Sequence, residues 1–313
     1  MPLNTKPEQK NYRAQTPRAL IIIALASCVL MFSGFFFGSS YFVHSYTTAK
    51  LWDCGHIVFF FLFSLLLLRF RPEPKWYRGL AKTSLSALLA GLIIEALQSF
   101  IGRQASLEDI AFNVLGAGIA SMWCYRQQNY KGKKTLWAVY SFFLLMAVIP
   151  LLIGISNSLL ARWQNPVLLS FDYALEQMRL SGNATISFQQ YQGQSGANIR
   201  FDDSQYSGFS LTEMSTDWSQ RQRLIIEVVN LENTPLSLTC RIHDTHHNQA
   251  YNDRFNQSWS LPPGQQLIEI SVSDIINAPQ HRPLDVANIA ALGCFTIKVP
   301  NQPAIFLQRI YLR

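Results

Sequence analysis

The chain has 313 residues, a net charge of +7 and 49% hydrophobic residues. Residues 1–162 contain 16 Lys and Arg against 6 Asp and Glu, whereas residues 163–313 contain 10 against 13. The basic surplus therefore lies between the apolar segments of the first half, where it signals membrane topology and excludes a nucleic-acid patch. We expect about two domains, no nucleic-acid partner and no cofactor.

The first half contains five apolar segments. They cover residues 20–43, 51–70, 80–101, 110–125 and 136–160. A helix needs about 20 residues to cross the hydrocarbon core, so the fourth segment is the shortest candidate. Ser106 is its expected N-cap, with Asp109 three residues later in a position typical of a capping box. The sequence predicts a cytoplasmic tail over 1–18 and five transmembrane helices over 19–162.

Most basic residues of this half flank these segments on one side. They are Lys6, Lys10, Arg13, Arg18, Arg69, Arg71, Lys75, Arg78, Lys82, Arg126, Lys131, Lys133 and Lys134. The opposite loops contain only Lys50 and Arg103. The positive-inside rule then places the N-terminus in the cytoplasm of a multi-pass plasma (inner) membrane protein. Five crossings export residues 163–313 to the periplasm or extracellular side.

Seven polar residues lie within or beside these segments. They are Asp53, His56, Glu95, Gln98, Arg103, Asp109 and Asn113. Glu95 and Gln98 are three residues apart, and Asp109 and Asn113 four apart, so each pair shares one helix face. The predicted topology places all seven near the outer leaflet. Ionisable groups in a membrane are costly and are usually retained for function.

This polar membrane cluster has two interpretations. It forms either a hydrogen-bond and ion-pair network that fixes helix packing, or a site for a polar ligand. The enzymatic alternative uses Glu95 or His56 as an acid or base, with Arg103 holding a phosphate of a lipid-linked substrate. No hydrolase or nucleotide-binding motif assigns a reaction, so the catalytic residues are unknown.

The order of these residues resembles the VanZ-like family over residues 20–160. That family has an Asp/His pair before an aromatic-rich helix, then E-x-x-Q, an Arg in the following loop, and D-x-x-x-N-x-x-G. The family often has Asp-Lys-x-x-His, whereas residues 53–56 read DCGH. The resemblance implies an envelope protein at the outer face of the plasma membrane, with a link to resistance to glycopeptides such as teicoplanin.

The second half changes to short runs with two-residue alternation. Candidate strands cover 184–189, 223–230, 236–243, 266–272, 294–299 and 305–312. Gly, Pro, Asn and Asp turns separate them, which is typical of a β-sandwich. The sequence therefore predicts an all-β domain over 163–313.

Residues 240–275 and the last strand, IFLQRIYLR, resemble jelly-roll carbohydrate-binding modules of the galactose-binding type. The resemblance covers 168–313 and implies a glycan ligand. Sugar recognition needs an aromatic ring beside polar groups that bind hydroxyls. The nearest match is His243, Asp244, Asn252, Asp253, Arg254 and Phe255. In the alternative interpretation, Asp253 and Arg254 tie a strand end and Phe255 belongs to the core.

The positions of the histidine and cysteine residues raise two further possibilities, a metal site and a disulfide. His243, His246 and His247, with Asp244, are metal-ligand residue types, but histidines on an exposed polar turn usually bind no metal, and we expect none. Alternation places Cys240 on the face of Leu238 and Ile242, and Cys294 opposite the apolar Phe295 and Ile297. This pattern argues against a disulfide between the two cysteines.

The sequence thus predicts a VanZ-like membrane protein with an exported sandwich. We expect its partners to be the lipid bilayer and an envelope glycan or lipid-linked precursor, with an envelope protein as the alternative partner of the sandwich.

Overall fold

A computed structural model describes residues 45–100 and 106–313, together with Ile22 and Ala26. Most of the first predicted span, 20–43, lies outside the described residues, and so does Arg103. The chain divides into two compact units, one of Met1–Val43 and Leu51–Val148, the other of His44–Lys50 and Ile149–Arg313.

Between Ser45 and the first strand, the described residues form four long helices. They are α1 (Tyr46–Phe70), α2 (Trp76–Phe100), α3 (Leu107–Cys124) and α4 (Lys133–Gln164). Within the described part of the chain, α1, α2 and α4 are long and apolar enough to cross a membrane. The 18-residue α3 is not among these three, and it has acidic residues in its first turn. The prediction of five transmembrane helices is therefore not confirmed.

Helix α3 starts at the cap residue that the sequence predicts. Ser106 is the N-cap, as predicted, and its Oγ accepts a hydrogen bond of 3.3 Å from the backbone N–H of Asp109. This bond satisfies one of the N–H groups that a helix start leaves unpaired. A side chain added at Gly116 would collide with the backbone carbonyl of Ile57, so the glycine allows α3 to approach α1 closely.

Eleven strands follow within the described residues. They are β1 (Val167–Leu169), β2 (Leu180–Gly182), β3 (Thr185–Tyr191), β4 (Gln194–Arg200), β5 (Ser207–Leu211), β6 (Arg223–Asn230), β7 (Leu236–Asp244), β8 (Phe255–Leu261), β9 (Gly264–Ser271), β10 (Ile289–Thr296) and β11 (Ala304–Leu312). Short 3-10 helices cover Ala174–Arg179 and Tyr251–Asp253, and helix α5 covers Val272–Ile276.

The strands form two antiparallel sheets, which confirms the predicted β-sandwich. The six-stranded sheet has the order β3-β4-β11-β6-β9, with β1 paired to β11. The five-stranded sheet has the order β2-β5-β10-β7-β8. Apolar residues from the inner faces of both sheets form one core around the fully buried Trp218.

The predicted strand bounds agree for β6 and lie within two residues for β3, β7, β9 and β11. The prediction for 294–299 is wrong, because β10 covers Ile289–Thr296. Phe295 and Ile297 suggested an inward-facing strand, but Phe295 is only half-buried and Ile297 is exposed. The core side of β10 is formed by Leu292 and Cys294 instead.

This shift in register corrects the prediction about the cysteines. Cys240 of β7 and Cys294 of β10 are direct cross-strand partners, with Cα atoms 4.1 Å apart, and they form a disulfide. Both side chains face the core. The prediction against a disulfide is wrong because it required Phe295 and Ile297 to point inward, whereas both point outward.

The second unit contains the sandwich and the adjoining ends of two long helices. The Glu213 carboxylate accepts hydrogen bonds from the Thr47 N–H at 3.3 Å, and from the Thr47 and Ser158 hydroxyls at 3.1 Å each. The buried Arg179 donates from Nε to Asn157 Oδ1 at 2.9 Å and from Nη1 to the Leu168 carbonyl at 3.0 Å. The sandwich is therefore bound by side chains to helix residues 46–50 and 149–164.

We predict that Cys240 and Cys294 resist alkylation in the folded protein and yield one crosslinked peptide under non-reducing conditions. Because the bond closes a loop with a sequence separation of 54, replacing both residues with Ala should lower the free energy of unfolding by about 4 kcal/mol. Pulse proteolysis in urea of the detergent-solubilised protein measures this loss. Free thiols at 240 and 294 in the wild type would contradict the assignment.

Candidate functional site

The polar membrane cluster joins three helices. His56 of α1 hydrogen-bonds through Nδ1 to Asn113 Oδ1 of α3 at 2.9 Å, and its Nε2 lies 3.6 Å from the Asp109 carboxylate. Nδ1 is within hydrogen-bond distance of Asn113, whereas Nε2 and the Asp109 carboxylate are close but beyond hydrogen-bond distance. The structure thus brings together His56, Asp109 and Asn113.

The Glu95 side chain binds the backbone at the start of α3. Its Oε2 accepts the backbone N–H of Ser106 at 2.8 Å. In a capping box this bond comes from the residue three positions after the N-cap, which is Asp109 here, but a carboxylate of the preceding helix α2 makes it instead. Glu95 therefore ties α2 to the N-terminus of α3, where negative charge is favourable.

The remaining members of the cluster have different positions. Gln98 is buried on α2, Asp53 is half-buried on α1, and Arg103 lies outside the described residues. A side chain added at Gly91 would lie 2.6 Å from the Asn113 amide nitrogen, so this glycine makes room for the amide. The contacts of His56, Glu95 and Asn113 each join two helices, which is the arrangement expected of a packing network.

In the sandwich, the candidate glycan residues separate into two groups. Asp244 and Asp253 belong to a network around Arg282, a residue that was not among the predicted site residues. Arg282 Nε donates to Asp253 Oδ1 at 2.7 Å, and Nη2 donates to Asp244 Oδ1 at 2.8 Å and to Asp253 Oδ2 at 3.1 Å. Asp244 also accepts the backbone N–H of Asp285 at 2.7 Å.

Both carboxylates are held ionised by this network. The hydrogen bonds from Arg282 and from the Asn248 N–H lower the pKa of Asp253 to about 2. Burial opposes ionisation of Asp244, yet the Arg282 hydrogen bonds and the Asp285 N–H outweigh it and lower its pKa. The network ties the end of β7 to the loop before β10, so both carboxylates are already engaged in structural contacts.

Phe255 and Asn252 also differ from the role considered for them. Phe255 is 4% exposed and lies in the core, so its ring cannot stack on a sugar. Asn252 hydrogen-bonds through Nδ2 to the Gln280 side chain at 3.1 Å. Arg254 does not join the Arg282 network. Its Nε donates to Asn256 Oδ1 at 3.1 Å on a different surface.

That surface is the side of the five-stranded sheet that points away from the core, here called the open face. Leu238, Cys240 and Ile242 of β7 are fully buried, so the alternate residues of the strand point outward. On β7, β8 and β10 the open face consists of Ser237, Thr239, Arg241, His243, Asn256, Ser258, Ser260, Ala291, Gly293 and Phe295.

Aromatic rings border the small residues of the open face. Tyr206 is 55% exposed and contacts the edge of Phe295, with ring centroids 5.6 Å apart. Tyr251 is 72% exposed, and the Arg254 guanidinium lies over its ring at 5.6 Å from the centroid. Exposed rings beside hydroxyl and amide groups are the combination that sugar binding requires.

Two arginines, Arg241 and Arg254, place positive charge on the open face. The side chain of Arg241 lies over Gly293. A Cβ atom added at Gly293 would be 3.2 Å from Arg241 Nε. Burial and the charge of Arg241 lower the pKa of Arg254, although Tyr251 and Tyr206 oppose this effect. Burial first, and then His247, Arg241 and Arg254, lower the pKa of His243 to about 4. His243 is therefore neutral at pH 7.

A signal for this surface is present in the sequence of β7. Ser237, Thr239, Arg241 and His243 alternate there with buried residues. Of these four, only His243 was among the predicted site residues. Tyr206, Tyr251 and Phe295 were missed because β5 and β8 were not predicted and β10 was misplaced.

Within residues 45–100 and 106–313, no group of three or more His, Cys, Asp and Glu is arranged to hold a metal.

No protein-family model and no curated protein matches the sequence. Among solved structures, the chain is similar to an exo-β-agarase, with 15% identity over 48% of this chain, 25% of that chain, and a TM-score of 0.39. The match thus spans a quarter of the agarase.

Smaller structures match over most of their own length. One is the family 11 carbohydrate-binding module from Clostridium thermocellum in complex with a β-1,3-1,4-mixed-linked tetrasaccharide, with 16% identity, 47% of this chain, 94% of that chain and a TM-score of 0.37. Another is a family 28 module specific for non-crystalline cellulose, with 8% identity, 48% and 93% coverage, and a TM-score of 0.35. These are jelly-roll folds, and they cover the C-terminal part of the chain.

We predict that Arg282→Gln lowers the free energy of unfolding by about 3 kcal/mol, because it leaves the buried Asp244 without its partner. Arg223→Gln is the control, since its ion pair with Glu269 is exposed and should contribute less than about 1 kcal/mol. Pulse proteolysis of both variants measures the difference. Equal losses would contradict a structural role for Arg282.

Proposed function

We propose that this protein is a VanZ-like component of the cell envelope that spans the plasma membrane and binds a glycan on its exported sandwich. The observation that carries the proposal is the open face, where exposed tyrosines border a strip of small polar residues. The network around Arg282 supports this choice of surface, because it already engages Asp244 and Asp253, which the sequence suggested as glycan-binding residues.

The open face offers each type of contact that a saccharide needs. The rings of Tyr206 and Tyr251 present apolar surfaces for the C–H faces of sugar rings. The hydroxyl groups of Ser258 and Thr239 can donate to and accept from sugar hydroxyls. Gly293 lacks a side chain, so the Arg241 side chain can lie flat across the sheet between the two aromatic borders.

The membrane half supports the location of this activity. Among the described residues, three helices have the length and composition of membrane spans. In the proposed topology the N-terminus is cytoplasmic and residues 163–313 are exported, so the open face meets glycans or lipid-linked precursors outside the membrane. The family resemblance extends the proposal to glycopeptide resistance, since a protein that binds such precursors competes with antibiotics that target them.

We expect the full chain in lipid nanodiscs to bind at least one envelope polysaccharide saturably, as measured by biolayer interferometry. Tyr206→Ala and Tyr251→Ala should each weaken binding about tenfold, because each removes a stacking surface. The control is Leu267→Ala, which removes an exposed apolar side chain from β9 of the six-stranded sheet. Binding that is equally insensitive to all three substitutions would place the ligand elsewhere.

Reporter fusions test the topology. Alkaline phosphatase fused after Arg313 should be active, because it folds only after export, whereas green fluorescent protein fused there should be dark. Green fluorescent protein fused after Asn129, between α3 and α4, should fluoresce. A fluorescent fusion at Arg313 would contradict export of the sandwich.

A further inference from the structure

We propose that the open face is selective for acidic saccharides, whose carboxylate, sulfate or phosphate group is held by Arg241 and Arg254. This inference rests on the proposed function and narrows it to one ligand class. It follows from the charges on the open face and from the absence of a counter-charge among its described neighbours.

Three arginines of the sandwich are paired with carboxylates. Arg282 is paired with Asp244 and Asp253, and Arg223 with Glu269. The buried Arg179 lies 3.7 Å from Glu176. In the part of the chain that the structure describes, Arg241 and Arg254 form no such pair. Arg200, Arg309 and Arg313 form no ion pair either among the described residues, but they are exposed, whereas Arg241 and Arg254 are partly buried.

The two unneutralised arginines are also neighbours. Each is partly buried, and the charge of Arg241 is felt at Arg254. Placing like charges together without a counter-ion costs energy, which a bound anion would recover.

The charge of the whole domain does not explain this positive surface. Residues 163–313 contain 10 Lys and Arg against 13 Asp and Glu, so the sandwich is acidic overall. A positive surface on an acidic domain is a local feature, and the tyrosines beside it favour a ligand with both an anionic group and apolar C–H faces. An acidic sugar has both, whereas free phosphate has only the first.

The guanidinium groups suit this task. Each presents a planar fork of N–H donors that matches the two oxygens of a carboxylate, or two oxygens of a sulfate or phosphate. Arg254 is held over Tyr251 and by Asn256, so its fork is partly ordered before a ligand binds. Less conformational freedom is then lost on binding.

The experiment compares saccharides that share a backbone and differ in charge. The full chain in neutral-lipid nanodiscs is titrated with cellohexaose and a β-1,4-linked glucuronic acid hexamer, with mannan and mannuronan oligomers, and with galactan and sulfated galactan oligomers. Free sodium phosphate and sodium sulfate test whether the anion alone suffices. We expect the acidic member of at least one pair to bind tenfold or more tightly than its neutral counterpart.

Arg241→Gln and Arg254→Gln should each reduce binding of that acidic saccharide about 10- to 100-fold, because a charge-assisted hydrogen bond is lost. Binding of the neutral member should hardly change. The matched control is Arg309→Gln, since Arg309 lies over Tyr311 at 5.4 Å on the six-stranded sheet and reproduces the arginine-over-tyrosine contact elsewhere. It should bind as the wild type does.

The outcomes separate the two proposals. Neutral and acidic saccharides that bind alike, with tyrosine-dependent affinity unaffected by Arg241→Gln, would overturn selectivity for acidic saccharides and leave glycan binding intact. No saccharide binding at all would overturn both. Binding of free phosphate as tight as that of any saccharide would also overturn this inference, because the anion alone would then account for recognition.

Discussion

A strand in a two-layer sandwich can bury only one of its two faces, and the other face must be accounted for in some other way. The inner faces here enclose one apolar core around Trp218. On β7 the same alternation that places Leu238, Cys240 and Ile242 inside projects Thr239, Arg241 and His243 outward. The positions of the outward residues, and with them the chemistry of the open face, are therefore fixed by the packing of the core.

The helical unit has a different constraint, because polar side chains within apolar helices need hydrogen-bond or ion-pair partners. His56, Asp109 and Asn113 contact one another across α1 and α3, and Glu95 of α2 completes the cap of α3. Because each contact joins two helices, the polar groups specify how the helices pack. The Arg282 network plays the corresponding part in the loops of the sandwich. In both units these polar contacts join separate elements, whereas Arg241 and Arg254 are partly buried on the open face and form no ion pair with a described carboxylate.

Much of the architecture could be predicted from the sequence, because membrane spans and two-residue alternation are strong signals. The prediction placed β6 correctly and assigned the Ser106 cap. The register of β10 could not be predicted, since Phe295 and Ile297 are apolar yet point outward, and this error hid both the disulfide and the open face. Asp244 and Asp253 looked available for a ligand because their partner, Arg282, is 38 and 29 residues distant from them in sequence. Long-range pairing of this kind leaves no local pattern.

The side chains that bind the sandwich to helix residues 46–50 and 149–164 have a consequence for recruitment. A module on a flexible linker samples a hemisphere around its anchor, whereas Glu213, Arg179 and the two-residue connection from α4 to β1 fix this one to its helix ends. The open face therefore keeps one orientation relative to these helix ends. In the proposed topology, a polymer anchored in the same membrane has a far higher effective concentration at the open face than one that diffuses freely.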